Sequence, residues 1–195
     1  MEVPIKETFL SMDEMAPILR RAFAAEYGQD IGAAEPYLLA MLALENAHGL
    51  GLFNHNWGNV ITWNANQPYW MDHKNGNPRH FRALNSHDEG ARYFVQQLGT
   101  ETNRRIIDAA LRGDFGAFFR AITKRHPKTK RAYCADCDRP AVANTYRDLV
   151  REFGGLTRAA TRAVKRDRAR AGAGLFFLLT ASAGAFFMFR KKRFA

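Results

Sequence analysis

Glu45 is the residue whose type and surroundings most clearly suggest catalysis. It falls in the last turn of a strongly apolar predicted helix, and Leu38, Met41 and Leu42 precede it on the same helical face. A carboxyl group on such a face is partly desolvated and lies near the negative end of the helix dipole, so its pKa should rise. A carboxyl group that keeps its proton near neutral pH is what a general acid requires. The alternative is a helix end that is rotated so that Glu45 points to water.

Aromatic and amide side chains are concentrated in residues 53–85, which contain all three tryptophans and eight asparagines. Aromatic rings can pack on the faces of sugars, and amides hydrogen-bond hydroxyl and acetamido groups. The region is therefore predicted to line a carbohydrate groove. The candidate substrate contacts are Asn56, Trp57, Trp63, Tyr69 and Trp70. In the alternative interpretation, one or two of the tryptophans form a small hydrophobic core instead.

Two cysteines, Cys134 and Cys137, have the CxxC spacing that occurs in metal and redox sites. A structural zinc ion needs four ligands, and His126 is the nearest further candidate. The six histidines show no HExxH spacing. We therefore predict no metal and no cofactor. The cysteines are expected to be ordinary loop residues, and a local disulfide in an oxidising compartment is the alternative.

Apolar residues recur with helical periodicity over most of the body of the chain, which predicts a mainly helical body. Helices are therefore expected to position the candidate residues. Ser11 and Glu14 form a capping box before the first predicted helix, which can end at Gly28. Pro36 suits the first turn of the second helix, which carries Glu45 and should be central because it is apolar nearly all round. Four further helices are predicted: one after the Ser86–Glu89 capping box, one around Ile106, one around Phe118 and one from Pro140 to Gly154.

A small β-lobe is predicted between the second and third helices. Short extended runs at 59–63, 68–72 and 79–83 are separated by turn residues, and Asn75-Gly76 is a strong turn signal. The predicted fold class is therefore mainly α, with a small irregular β-lobe inserted in a helical domain.

The basic charge of the chain is concentrated in its last 38 residues, which carry +9 of the net charge of +10. A globular nucleic-acid-binding domain would carry this charge on its folded body, so we expect no nucleic-acid partner. Residues 171–189 form a run of 19 residues without charge, and basic clusters flank the run on both sides. As a helix the run would be about 28 Å long, close to the hydrocarbon thickness of a bilayer. This pattern predicts a transmembrane helix and a lipid bilayer as partner; a buried core helix is the alternative.

Four segments make up the predicted organisation of the chain. They are a globular domain over 1–157, a basic juxtamembrane linker over 158–170, the transmembrane helix over 171–189 and a basic tail over 190–195. The first residues include several acidic side chains and lack the apolar run of a signal peptide, so no secretory signal is expected.

Three segments of the chain form a pattern that resembles a known family. The first segment is LALENAHGLG with FNHNWGNV, in which Glu45 ends the helix; the second is FRALNSHDEGARYFVQQL; the third is AYCADC with YRDLVREF. Over residues 11–155, this pattern resembles the bacterial N-acetylglucosaminidase domain of the lysozyme-like superfamily, found in autolysins, flagellar muramidases and phage lysins. The chain departs from the family at Asn46, His48 and Leu84, where Ser or Thr, Trp and Tyr are usual.

The resemblance implies a lysozyme-like α+β fold and a glycosidase that cuts the glycan strands of peptidoglycan. By this resemblance Glu45 would protonate the glycosidic oxygen and Tyr133 would lie in the cleft near the bond that is cut. Glycosidases normally use a second carboxylate, and Asp72 is the candidate because it is the only acidic residue between Glu45 and Asp88. The 2-acetamido group of the substrate could take that role instead.

Two other functions are compatible with the same resemblance. One is a lytic transglycosylase, which forms an anhydro product without adding water, and the other is a non-catalytic wall-binding membrane protein. Peptidoglycan lies outside the cytoplasmic membrane, yet no secretory signal is expected. The expected protein is therefore single-pass with a C-terminal anchor, in a phage virion membrane or a host cell membrane; a bacterial tail-anchored protein is the alternative.

Overall fold

In the computed structural model, six α-helices and one two-stranded sheet form the described part of the chain, residues 1–62, 64, 66–72, 79–125, 132–134, 137, 139–156 and 158. The helices are α1 (Met12–Tyr27), α2 (Glu35–Glu45), α3 (His87–Gly99), α4 (Arg104–Leu111), α5 (Phe115–Thr123) and α6 (residues 140–156). Short 3₁₀ turns precede and follow α2, at Gly32–Ala34 and Ala47–Gly49. The mainly helical fold class that the sequence predicts is confirmed.

Two compact units make up the chain, and the first, Met1–Gly154, contains the helical body. Across the described residues, no helix is both long enough and apolar enough for a bilayer crossing. The predicted transmembrane segment at 171–189 lies outside those residues.

Local sequence signals explain where α1 begins and ends. The Ser11 hydroxyl accepts a hydrogen bond from the Glu14 N–H, and the Glu14 carboxylate accepts one from the Ser11 N–H, so the predicted capping box is present. Gly28 ends the helix in the left-handed conformation, with φ of 65°. The apolar face of α1 is buried through Met15, Leu19, Ala22 and Phe23. This helix packs against α3 and α2.

α2 is the central helix, as its sequence predicts. Every residue from Tyr37 to Ala43 is buried, and α1 and α4 contact the helix. In its first turn the Glu35 side chain is 3% exposed, and its carboxylate lies 2.6 Å from the Arg20 guanidinium on α1. A carboxylate buried this deeply needs such a partner. The ion pair therefore fixes the start of the helix whose last residue is Glu45.

In the described part of the β-lobe, two of the three predicted extended runs are strands. β1 (Tyr69–Asp72) and β2 (Arg79–Arg82) pair antiparallel, close to the predicted bounds. The third run, predicted at 59–63, is not a strand in its described residues. It pairs with β2 through one isolated bridge, between Ile61 and Phe81. The turn predicted between the two strands lies outside the described residues.

The first eight residues extend this lobe, an arrangement that no pattern in the sequence predicts. The Val3 N–H donates to the Tyr69 carbonyl at 2.8 Å, and the Tyr69 N–H donates to the Met1 carbonyl at 3.0 Å. Further along, the Thr8 N–H donates to the Leu52 carbonyl at 3.0 Å. The N-terminal segment thus joins β1 to the loop that follows α2.

Two helix ends differ from the predictions. Ser86 caps α3 by accepting from the Glu89 N–H at 3.2 Å, but the Glu89 carboxylate accepts from the Asn85 N–H rather than from that of Ser86. The second capping box is therefore only half formed. α6 continues to residue 156 through Gly154 and Gly155, which were predicted to end it. Each glycine weakens a helix by only about 1 kcal/mol relative to alanine, so the helix can pass through both.

Candidate active site

Glu45 is the last residue of α2 and is half-buried. Burial of its carboxyl group raises the pKa of Glu45 above the ordinary value of 4.5, and a hydrogen bond from Asn59 partly opposes this rise. A glutamate that is rotated into water does not fit this burial. The carboxyl group therefore keeps its proton to a higher pH than a solvated glutamate does.

The loop after α2 folds back on Glu45 through an unusual run of left-handed residues. Ala47, His48, Asn54, His55 and Asn59 all have φ between 46° and 58°. Asn and His adopt this conformation more readily than most residues do. Position 49 of the same loop needs a glycine. Its φ is 89°, and a Cβ there would overlap the carbonyl oxygen of Leu10.

Two asparagine side chains tie the end of α2 to this loop. Asn46 follows Glu45 directly, is completely buried, and donates from Nδ2 to the Trp57 carbonyl oxygen at 2.5 Å. In the opposite direction, Asn59 Nδ2 donates to the Glu45 carbonyl oxygen at 2.6 Å and lies 3.5 Å from Glu45 Oε2. The departure from the family pattern at Asn46 thus has a structural role in this chain.

Two tyrosines from distant parts of the chain lie near Glu45. Burial raises the pKa of the Tyr133 hydroxyl well above the ordinary value of 10.0, and the charge of Glu45 raises it further. Burial and the same carboxylate also raise the pKa of Tyr146 on α6. Both phenols therefore stay protonated at neutral pH, and each keeps a hydroxyl hydrogen that it can donate. The sequence pointed to Tyr133 through the resemblance, whereas Tyr146 lies in the helix predicted from Pro140 to Gly154 and was not singled out.

Asp72, the candidate second carboxylate, ends β1 opposite Arg79. Its side chain lies outside the described part of the chain, so its catalytic role stays a prediction. Trp63, a candidate substrate contact, also lies outside the described residues.

Trp57 and Trp70 are placed in the interior of the protein. Trp57 is completely buried, and its Nε1–H donates to His87 Nδ1 at 3.3 Å. Trp70 is 6% exposed and stacks on Phe81, with the ring centroids 4.7 Å apart. Neither ring offers an open face to a sugar. Their burial favours the alternative interpretation, in which these tryptophans form a small core, and it does not support the predicted contact with substrate.

The other two substrate candidates differ in their surroundings. Asn56 is buried, and both ends of its amide are engaged: Oδ1 accepts from the Val60 N–H at 2.8 Å and Nδ2 donates to the Val60 carbonyl at 3.0 Å. The Asn56 amide therefore stabilises the loop, because both of these hydrogen bonds go to the main chain of Val60. Tyr69 is half-buried and stacks on His80, with the ring centroids 4.4 Å apart. Tyr69 therefore keeps part of its side chain accessible, as a substrate contact must.

A histidine pair supports the same loop from the start of α3. The rings of His55 and His87 meet edge to face, with centroids 4.4 Å apart. Burial lowers the pKa of both below the ordinary value of 6.5. A neutral His87 can accept the hydrogen bond from Trp57. α3 can approach this closely because Gly90 has no Cβ. A Cβ at that position would overlap the carbonyl oxygen of His55.

Cys134 and Cys137 form a disulfide, so the expectation of ordinary unpaired loop cysteines is wrong. Cys137 is 2% exposed in the core, and the Cys134 N–H donates to the Ile122 carbonyl on α5 at 3.0 Å. The bond therefore fixes the segment that carries Tyr133. Within the described ranges, no group of side chains is arranged to hold a metal ion.

This fold is shared with a known glycoside hydrolase domain. That domain, from FlgJ of Salmonella typhimurium, matches with a TM-score of 0.56 and 16% identity, over 81% of this chain and 98% of that chain. The two proteins share a fold. A C-terminally truncated form of the FlgJ domain matches with a TM-score of 0.48 and 18% identity, over 74% of this chain and 95% of that chain. No protein-family model and no curated protein match the sequence. The resemblance that the motifs indicate is thus confirmed at the level of the fold.

Proposed function

We propose that this protein is a peptidoglycan hydrolase that cleaves a glycosidic bond of the glycan strands, with Glu45 as the general acid. One observation carries the proposal: a half-buried glutamate with a raised pKa lies at the end of the central helix, in a fold shared with a glycoside hydrolase domain. Raised carboxyl pKa values and a partly desolvated position are what such an acid needs.

In the proposed reaction the Glu45 proton moves to the glycosidic oxygen as the bond from that oxygen to the sugar C1 breaks. Positive charge develops on the ring, and water completes the hydrolysis by adding at C1 and returning a proton. Tyr133 and Tyr146, which stay protonated, would orient the Glu45 carboxyl group. Stabilisation of the charged sugar would come from Asp72 or from the substrate's own acetamido group.

Digestion of purified peptidoglycan by the full chain tests this proposal. The expected result is the release of soluble fragments together with new reducing sugar ends. A protein that sediments with the wall material but releases no fragments would be a wall-binding protein and would contradict the proposed activity.

We further propose that residues 171–189 anchor the protein in a bilayer, in a virion or a host cell membrane. The support is the uncharged run and its basic flanks. The full chain should stay in the membrane fraction after washes at high salt and at alkaline pH, whereas a chain that ends at residue 157 should be found in the soluble fraction. Salt screens the attraction of a basic surface helix to anionic lipids but does not extract a spanning helix. Release of the full chain by salt alone would contradict the anchor.

A further inference from the structure

We propose that Asn59 is a positioning residue for Glu45, because its side-chain amide holds the end of α2 and orients the Glu45 carboxyl group. The inference rests on the proposed function, in which that carboxyl group is the acid. No motif in the sequence pointed to Asn59 for this role.

The side-chain amide of Asn59 lies within reach of two oxygens of Glu45. Asn59 Nδ2 carries two hydrogens, so it can serve two acceptors of the same residue. It lies 2.6 Å from the Glu45 main-chain oxygen and 3.5 Å from Oε2. The short bond anchors the amide on the helix end, and the longer contact directs one carboxyl oxygen toward the loop.

The backbone around Asn59 is held in place on both sides. Its φ of 47° is left-handed, which Asn tolerates well. On one side, Gly58 lies so close to the Phe94 ring that a Cβ would stand only 2.9 Å from it. On the other side, Val60 is held by the Asn56 amide through two hydrogen bonds. An amide that is fixed in this way can hold a catalytic group with little loss of entropy.

Asn59 also acts electrostatically on Glu45. An N–H that points at a carboxylate stabilises the charged form, so Asn59 lowers the pKa of Glu45 while burial raises it. Among the described residues, Tyr133 and Tyr146 lie on other elements, and the charge of Glu45 raises the pKa of both. An acid that must give up its proton and later regain it needs both forms to be accessible. Asn59 would provide the stabilisation of the ionised form.

Direct titration of Glu45 in the full chain tests this proposal. With ¹³C-labelled glutamate carboxyl groups, the Glu45 signal is the one that disappears in Glu45→Gln. Asn59→Gly removes the amide but keeps the left-handed backbone, and Asn59→Asp is an isosteric second variant in case the first does not fold. Ala47→Gly is the matched control, since it adds backbone freedom at a left-handed position of the same loop without removing a group that faces Glu45.

The expected result is a higher Glu45 pKa in both Asn59 variants and no change in Ala47→Gly. Activity on peptidoglycan at neutral pH should fall by roughly 10- to 100-fold in Asn59→Gly, since small displacements of a catalytic group have effects of this order. The alkaline limb of the pH–rate profile should move to higher pH. An unchanged Glu45 pKa in folded Asn59 variants would overturn the proposal. If the wild-type protein leaves peptidoglycan intact, the proposed function fails, but the titration still decides whether Asn59 acts on Glu45.

Discussion

Replacing Glu45 with glutamine should reduce the rate of peptidoglycan hydrolysis by about 10²–10⁴-fold, the usual contribution of general acid–base catalysis. The amide has the same shape as the protonated carboxyl group but cannot donate a proton of comparable acidity. Because Glu45 is half-buried and its burial favours the neutral form, the neutral amide should be accommodated with little loss of stability. Initial rates of reducing-end formation, measured beside a thermal melt, separate the two effects.

Glu152→Gln is the matched control for this substitution. Glu152 is an exposed glutamate on α6, so the same chemical change there should leave the rate unaffected. Wild-type rates in Glu45→Gln would show that another group supplies the proton.

Replacing Trp57 with alanine should lower the free energy of unfolding by about 3–5 kcal/mol, the usual cost of emptying a large buried aromatic site. The ring is completely buried, its Nε1–H donates to His87, and its main-chain oxygen accepts from Asn46. Chemical denaturation of the variant measures the loss. Activity should fall as well, because the Trp57 main chain is part of the tie between α2 and the loop that carries Asn59.

Trp57→Phe and Tyr69→Ala are informative comparisons for the alanine variant. Trp57→Phe keeps much of the packing and loses only the N–H donor, so its destabilisation should be smaller than that of Trp57→Ala. Tyr69→Ala removes a half-buried ring and should affect glycan binding more than stability. If Trp57→Ala bound wall fragments less tightly but unfolded as the wild type does, the ring would be a substrate contact after all.

Features that depend on neighbouring residues could be predicted from the sequence. The capping box at Ser11, the helix stop at Gly28 and the central position of α2 each follow from a few adjacent residues or from one helical period. The placement of Glu45 at the end of a buried helix belongs to the same class. The order of the motifs predicted the family resemblance, and the fold is shared with the FlgJ domain.

Features that depend on distant contacts could not be predicted in the same way. Tyr146 packs against Phe118 and Phe119 of α5, and the charge of Glu45 raises its pKa; a helical period shows a buried face without showing such neighbours. Trp57 looked suitable for a sugar because of its ring, but its burial depends on the close approach of α3 that Gly90 permits. The disulfide between Cys134 and Cys137 needed the backbone geometry to distinguish it from two free thiols.

Mass spectrometry of the fragments released from purified peptidoglycan tests the central claim most directly, that Glu45 catalyses hydrolysis of a glycosidic bond. The wild-type chain should release fragments that end in a reducing N-acetylated sugar, one water heavier than the corresponding anhydro fragments, and Glu45→Gln should release almost none. Fragments with anhydro ends would identify a lytic transglycosylase instead. Glycan strands that remain intact with the wild-type protein, or equal release by Glu45→Gln, would contradict the account.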